Sequence, residues 1–162
     1  QPDALFGACG GGGLLSGSYL AKELLSPITQ VFGVEPETAN DATYSYNEGR
    51  IYRFDDSPKT IADGVRTLSL SPRTFHYIQH IDGFIEVEEK NIYYWVQWLS
   101  HILKVTIEPT AALAMAGACK WLATHTSKKR ILVLLSGGNS SPEVQKHVWQ
   151  ANYLDQLPEH KQ

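Results

Sequence analysis

The stretch that most constrains this chain is Gly10-Gly11-Gly12-Gly13, set between the apolar run Ala4-Leu5-Phe6 and the segment "LLSGSYLAKELLSP". Four adjacent glycines lose much conformational entropy on folding. A chain keeps them where its backbone bends sharply or comes very close to another group. The run before them reads as a buried strand. After them, Leu14, Leu15, Tyr19, Leu20, Leu24 and Leu25 follow a helical face that Pro27 ends. A glycine loop leading from a strand into a helix aims several backbone N–H groups at one spot, where the helix adds roughly half a positive charge. Gly10, Gly11, Gly12 and Gly13 with the N–H of Leu14 are therefore a candidate phosphate cradle; the alternative is a flexible or tightly packed loop. No Gly-Lys-Ser/Thr follows, so this is not a P-loop. Ser16 stands where the dinucleotide pattern G-x-G-x-x-G, begun at Gly11 and Gly13, needs glycine.

The rest of the chain alternates strand and helix signals. "TQVFGVEP" reads as a strand centred on Val31, Phe32 and Val34, and "ETANDATYSYNEG" as a helix ended by Gly49. Residues 50–60 read as irregular, "TIADGVRT" breaks at Gly64, and "PRTFHYIQHIDG" fits neither template cleanly. Phe84 to Val87 reads as a strand, followed by an amphipathic helix through Leu103 and an Ala-rich helix in "EPTAALAMAGACKWLATHT". "RILVLLSGGN" reads as a central strand and its loop, with a last helix over 141–154. This alternation predicts an α/β fold, a three-layer sandwich with a mostly parallel sheet covered on both faces. In such sheets ligands bind beyond the carboxyl ends of the strands. Gly10–Gly13 and Ser136–Asn139 both follow strand-like runs, which predicts that they open onto one crevice.

The length of 162 residues predicts one domain, residues 1–162, with a substantial core. A net charge of -3 without a basic stripe argues against nucleic acid as a partner. No apolar run approaches the ~18–20 residues of a membrane span. Two cysteines, Cys9 and Cys119, suit free thiols in a reducing, cytoplasmic compartment. The chain opens on Gln1-Pro2-Asp3 and its only methionine is Met115, which leads us to expect a fragment or a processed product.

Several side chains are candidates for chemistry. The Ser136 hydroxyl can donate or accept a hydrogen bond beside the second glycine loop, or simply cap a turn. Glu35 and Asp41 in "GVEPETAND", with a backbone carbonyl between them, suit a hard cation such as Mg²⁺ or Ca²⁺, or else decorate a helix start. His76 and His80 are four apart but lack further metal-ligand partners nearby. Glu108 is placed to cap the Ala-rich helix. Its bare face over 111–118 suits close helix packing, and Tyr93, Tyr94, Trp95 and Trp98 suit a core or an interface.

Taken in order, GGGGLLSG, GVEPETAND, TIADGVRT, IEPTAALA and LSGGN resemble the carboxyl-terminal half of a pyridoxal-phosphate enzyme. The resemblance is to the fold type II serine/threonine dehydratase and serine racemase family, with its tryptophan synthase beta-like fold, and runs from about residue 3 to 140. It implies that Gly10 to Gly13 with Leu14 hold the phosphate of pyridoxal 5'-phosphate, and that Ser136 bonds the pyridine nitrogen. It places Gly64 beside ring and substrate and Glu108 near the pocket. It also implies a divalent cation held by Glu35, the Ala39 carbonyl and Asp41. The implied activity is an ammonia-lyase acting on L-threonine or L-serine. Serine or aspartate racemization and hydroxyaspartate dehydration are alternatives within the family, and a phosphate-ligand-binding module is the alternative outside it. Family members carry a Schiff-base lysine in a Ser-Phe-Lys-type motif and a substrate clamp of Ser-Ser-Gly-Asn type; neither occurs here. The expectation is a chain inactive by itself, missing an amino-terminal half. Its exposed apolar surface is expected to favour homo-oligomers.

Overall fold

Strand β1 (Ala4–Ala8) is buried along its whole length. In this computed structural model, which describes residues 1–158, it is a central strand with a different core on each face. Ala4, Phe6 and Ala8 join one hydrophobic cluster, while Leu5 and Cys9 join another. That division is the two-residue period of a strand covered on both sides. Helix α1 (Gly13–Leu25), strand β2 (Gln30–Pro36) and helix α2 (Asp41–Glu48) follow. Then come a single 3₁₀ turn (Asp63–Val65), helix α3 (Pro72–Ile78) and strand β3 (Gly83–Val87). Helix α4 (Glu89–Leu103), helix α5 (Pro109–Leu122), strand β4 (Ile131–Val133) and helix α6 (Pro142–Val148) complete the order.

The sheet runs β3-β2-β1-β4 with every pair parallel. Helices α1 and α3 cover one face, and α5 with α4 outside it covers the other, so the three-layer α/β sandwich is the observed architecture. The Ala-rich character of α5 has a direct packing reason. A Cβ at Gly117 would sit 2.4 Å from Val34 Cγ2, and Ala111, Ala112, Ala114 and Ala118 are fully buried. Phe6 stacks on Phe32 with ring centroids 5.5 Å apart, and Trp121 meets Phe6 edge-on at 5.5 Å. Such contacts add about 0.5–1.5 kcal/mol each beyond area burial.

Three segments depart from the sequence reading. The apolar run at 131–135 is not a central strand: only Ile131–Val133 pairs, on one side, with β1, and Leu132 and Leu135 are exposed. A continuous apolar run does not say how many of its edges are bonded. "PRTFHYI" resolves as a helix because Ser71 and Thr74 form a reciprocal capping box around Pro72 at the helix start. The last helix stops at Val148 rather than 154 because the chain beyond it is claimed by α4.

Gln97 makes that claim. It is fully buried on α4, and its Nε2 donates to the carbonyls of Val148 (2.8 Å) and Ala151 (2.7 Å). Its Oε1 accepts from the Tyr153 amide at 2.8 Å. Nearby, Trp98 Nε1 donates to the Gln156 carbonyl at 3.0 Å. One neutral side chain thus satisfies three backbone groups, which suits a buried site better than a charge would. Cys9 and Cys119 are both free thiols. Among the described residues no helix is long and apolar enough to cross a membrane.

Replacing Gln97 with Leu keeps the volume but strands those three backbone groups. The expected cost is about 2–3 kcal/mol, from unmet buried polar groups. Amide exchange should accelerate across 148–156 while the β1 and β2 amides stay protected. Uniform acceleration over the whole chain would contradict this local role.

Candidate functional site

Strand β1 ends at Ala8, two residues short of the level at which β2 ends at Pro36. Ala8 pairs with Val34, and the Cys9 amide then donates to the Val34 carbonyl at 3.0 Å. This level is the ligand-binding edge of an open parallel sheet. A cavity of about 290 Å³ lies above it, lined by Gly10 to Gly13, Leu14, Gly64, Val65, Glu108, Thr110 and Ser136 among others. Residues from four separated motifs therefore line one cavity, and the two glycine loops do open onto one crevice.

The four glycines have different physical reasons. Gly12 has φ 82°, and a Cβ there would strike Ile78 Cδ1 at 2.5 Å. A Cβ at Gly10 would sit 2.7 Å from the Gly64 carbonyl oxygen. The fold itself demands glycine at these two positions. At Gly13 a Cβ would meet no protein atom within 4 Å, and at Gly11 only Thr67 Cγ2 at 4.0 Å. Packing does not demand glycine there, whereas a ligand drawn close to the backbone would. The Ser16 amide is the first to bond back, to the Gly12 carbonyl at 2.9 Å. The amides of Gly13, Leu14 and Leu15 lie ahead of it, with the positive end of the α1 dipole.

Across the cavity, the "SGGN" loop is locked to the start of α5. Glu108 occupies the N-cap position of α5, but its side chain caps nothing in its own helix. Its Oε2 instead accepts from the Asn139 amide at 3.2 Å, and its own amide donates to the Gly137 carbonyl at 3.3 Å. This corrects the helix-capping role expected for it. Side chains at Gly137 and Gly138 would collide with the Glu108 carboxylate (2.6 Å) and the Thr106 carbonyl (2.3 Å). Ser136 is exposed, and its hydroxyl has no hydrogen-bond partner among the described residues. Thr110 escaped the sequence reading. Its Oγ1 accepts from the Gly64 amide at 3.0 Å, and a Cβ at Gly64 would sit 2.8 Å from the same oxygen. Its place in the first turn of α5, directly after Glu108-Pro109, was the available signal.

Glu35, Ala39 and Asp41 lie below the glycine loop, all fully buried. Glu35 Oε1 accepts from the Ala42 amide (3.1 Å), and Oε2 from the Thr43 amide and hydroxyl (2.7 Å each). It therefore caps the N-terminus of α2 from outside that helix. Burial, opposed by these bonds, pushes its carboxyl up to about 8. Asp41 is stranger: both carboxylate oxygens are buried without a hydrogen-bond partner. Burial pushes its carboxyl up to about 6, partly offset by its own backbone and by the nearby Thr67 hydroxyl. Among the described residues no group of three or more His, Cys, Asp or Glu is placed to hold a metal ion. His76 and His80 meet only each other, edge to face at 5.9 Å, and neighbouring rings.

The sequence matches the family model described as "Pyridoxal-phosphate dependent enzyme" over residues 1–137. It is 44% identical over 140 residues to an L-threo-3-hydroxyaspartate ammonia-lyase of Saccharomyces cerevisiae, covering 86% of this chain and 42% of that protein. It is 40% identical over 146 residues to a serine racemase of Schizosaccharomyces pombe, covering 90% of this chain and 45% of that one. The chain thus spans less than half the length of these relatives. The crystal structure of a T.th. threonine deaminase superposes with a TM-score of 0.82 at 43% identity, covering 87% of this chain and 51% of that one. Serine racemase from Dictyostelium discoideum gives 0.79 at 33% identity, covering 87% and 45%. Matched by that family model over residues 1–137, and with its glycine loop at the carboxyl edge of a parallel sheet, the chain belongs to the pyridoxal-phosphate-dependent enzyme family.

Proposed function

We propose that this chain forms the phosphate and ring-nitrogen half of the cofactor site in a lyase acting on small β-hydroxy amino acids, L-threonine or L-serine. The observation that carries this reading is that Gly11 and Gly13 line the cavity without any packing reason to be glycine. Pyridoxal 5'-phosphate supplies an electron sink that eases loss of the proton at the amino acid α-carbon. The residues of this chain bind and tune it. The amides at the start of α1 and the helix dipole would hold the phosphate dianion. The Ser136 hydroxyl, otherwise unpartnered, would meet the ring nitrogen. A neutral hydroxyl leaves that nitrogen largely unprotonated, and the weaker sink suits prompt β-elimination over long-lived charge at the α-carbon. Glu108, fixed by the Asn139 amide, and Gly64, fixed by Thr110, would shape the wall beside the ring.

No lysine among the described residues lines the cavity. Lys120 donates to the Glu86 carbonyl at 2.9 Å, and Lys22 pairs with Glu23 at 2.7 Å. The amine that anchors the cofactor aldehyde and the clamp for the substrate carboxylate would come from polypeptide outside these 162 residues. The relatives favour keeping L-threo-3-hydroxyaspartate dehydration and serine racemization as the second reading.

We further propose that Glu35, the Ala39 carbonyl and Asp41 hold a divalent cation. The paired orphan oxygens of Asp41 support it, because a hard cation bound through oxygen would relieve their desolvation.

Three outcomes check these proposals. Incubated with pyridoxal phosphate and L-threonine, the chain alone should release no 2-oxobutanoate in a coupled assay. Gly13→Ala should leave stability unchanged or raise it by up to ~1 kcal/mol while weakening binding of deoxypyridoxine 5'-phosphate at least tenfold by calorimetry. Gly12→Ala should instead unfold at lower denaturant, because φ is positive there. Equal ligand affinity in wild type and Gly13→Ala would remove the phosphate role. Mg²⁺ or Ca²⁺ at about a hundred times its dissociation constant should raise the melting temperature by roughly 5–10 °C, and Asp41→Asn should abolish the rise.

A further inference from the structure

Supporting Gly64 uses only half of what the Thr110 hydroxyl can do. The side chain is 7% exposed and lines the cavity of about 290 Å³. Its Oγ1 accepts from the Gly64 amide at 3.0 Å, while its own proton goes to no acceptor among the described residues. A hydroxyl can accept and donate at once. A helical threonine can give its proton to a carbonyl three or four residues back. Thr110 is the second residue of α5, so no helical turn precedes it. The Thr106 carbonyl, four residues back, instead faces the place a Cβ on Gly138 would take, at 2.3 Å. A donor this deeply buried is costly to leave unmade. The oxygen is also held in place. Oγ1, Cγ2 and Cβ of Thr110 stand 2.8, 3.1 and 3.4 Å from where a Cβ of Gly64 would be, so the side chain lies flat against that residue.

We infer that Thr110 is a ligand-contacting residue: its hydroxyl, held by the Gly64 amide, donates its proton to a polar atom on the heteroaromatic ring of the bound cofactor, not to the phosphate. The inference rests on the phosphate reading above and extends it to the ring. Two contacts set the hydroxyl apart from the phosphate loop. Gly64 turns its carbonyl toward Gly10 and its amide toward Thr110, so it stands between them. Glu108, two residues before Thr110, accepts from the Asn139 amide. Thr110 is thereby tied through the start of α5 to the loop whose Ser136 is the candidate partner of the ring nitrogen. A neutral donor meets a lone pair on the ring without adding charge to it. Accepting from Gly64 polarises the O–H and strengthens what it donates; donating in turn makes the oxygen a better acceptor for the Gly64 amide. Ring binding and the hold on Gly64 are thus linked through one oxygen.

The experiment compares two ligands on the 162-residue chain by calorimetric titration. Deoxypyridoxine 5'-phosphate carries a ring nitrogen and a ring hydroxyl. Benzyl phosphate carries the same phosphomethyl group on a ring without polar atoms. Thr110→Val keeps the shape and removes the hydroxyl. It should weaken deoxypyridoxine 5'-phosphate about three- to tenfold, the span of one neutral hydrogen bond, and leave benzyl phosphate unchanged. Thr110→Ser keeps the hydroxyl and should bind both ligands like the wild type. A second readout needs no variant. In an NMR titration of the wild type, the Gly64 amide proton should move downfield with deoxypyridoxine 5'-phosphate beyond any movement with benzyl phosphate, because the donating oxygen accepts more strongly. Equal losses for the two ligands in Thr110→Val would overturn the inference and leave Thr110 only a support for Gly64. So would an undiminished affinity of Thr110→Val for deoxypyridoxine 5'-phosphate, or a Gly64 proton that answers both ligands alike; each would leave the phosphate reading standing. A wild type that binds neither ligand would overturn the phosphate reading and this inference with it.

Discussion

Gly64 stands between two loops that the rest of the site depends on. Its carbonyl oxygen crowds the place a Cβ on Gly10 would take, and its own missing Cβ leaves room for Thr110 Oγ1, which accepts a hydrogen bond from its amide. Three elements far apart in sequence thereby meet with almost no side chain between them. A methyl group at Gly10 or Gly64 would push the β1 loop, the 3₁₀ turn or the start of α5 out of place. Protein interiors do not absorb such shifts gradually, because they are packed at crystal-like density. The cavity wall is therefore a consequence of glycine placement more than of any attractive interaction.

The opposite wall is built by a different force. Glu108 commits its carboxylate to the Asn139 amide, and the adjoining glycines let the loop settle against it. A charge-assisted bond of this kind is stronger than a neutral one and fixes direction as well as distance. It leaves Ser136, at the head of the same loop, with an unengaged hydroxyl at the cavity. The structure thus separates the cavity residues that neighbouring atoms hold in place from those that no protein atom engages. Gly10, Gly12, Gly64, Thr110 and Glu108 are in the first set; Gly11, Gly13, the α1 amides and Ser136 are in the second.

Below the cradle, Glu35 and Asp41 show how two acids close in sequence receive opposite treatment. Glu35 accepts hydrogen bonds from the α2 amides, although burial still pushes its carboxyl up to about 8. Asp41 opens the same helix, but both its oxygens are buried without a hydrogen-bond partner. Uncompensated buried carboxylates cost several kcal/mol and are rare without a reason. The asymmetry in hydrogen bonding is what marks Asp41 as the part of this layer that packing alone does not explain.

Much of this was legible in the sequence. Hydrophobic periodicity and the loop glycines predicted the parallel α/β sandwich and both loops at its ligand edge, since strand and helix periods are local properties. The order of five short motifs carried the family. Tertiary structure decided what local pattern could not. It put "RILVLL" at the sheet edge, because hydrophobicity does not encode pairing partners. It ended α6 early, because Gln97 captures the backbone beyond Val148 across the fold. It sent Glu108 away from its own helix to Asn139, since an N-cap position fixes where a side chain starts but not where it reaches. And it divided four identical glycines into two required by neighbouring atoms and two facing open space. The sequence by itself determined that a close approach must happen at Gly10–Gly13; only the distances across the fold decided which of them the protein needs for itself.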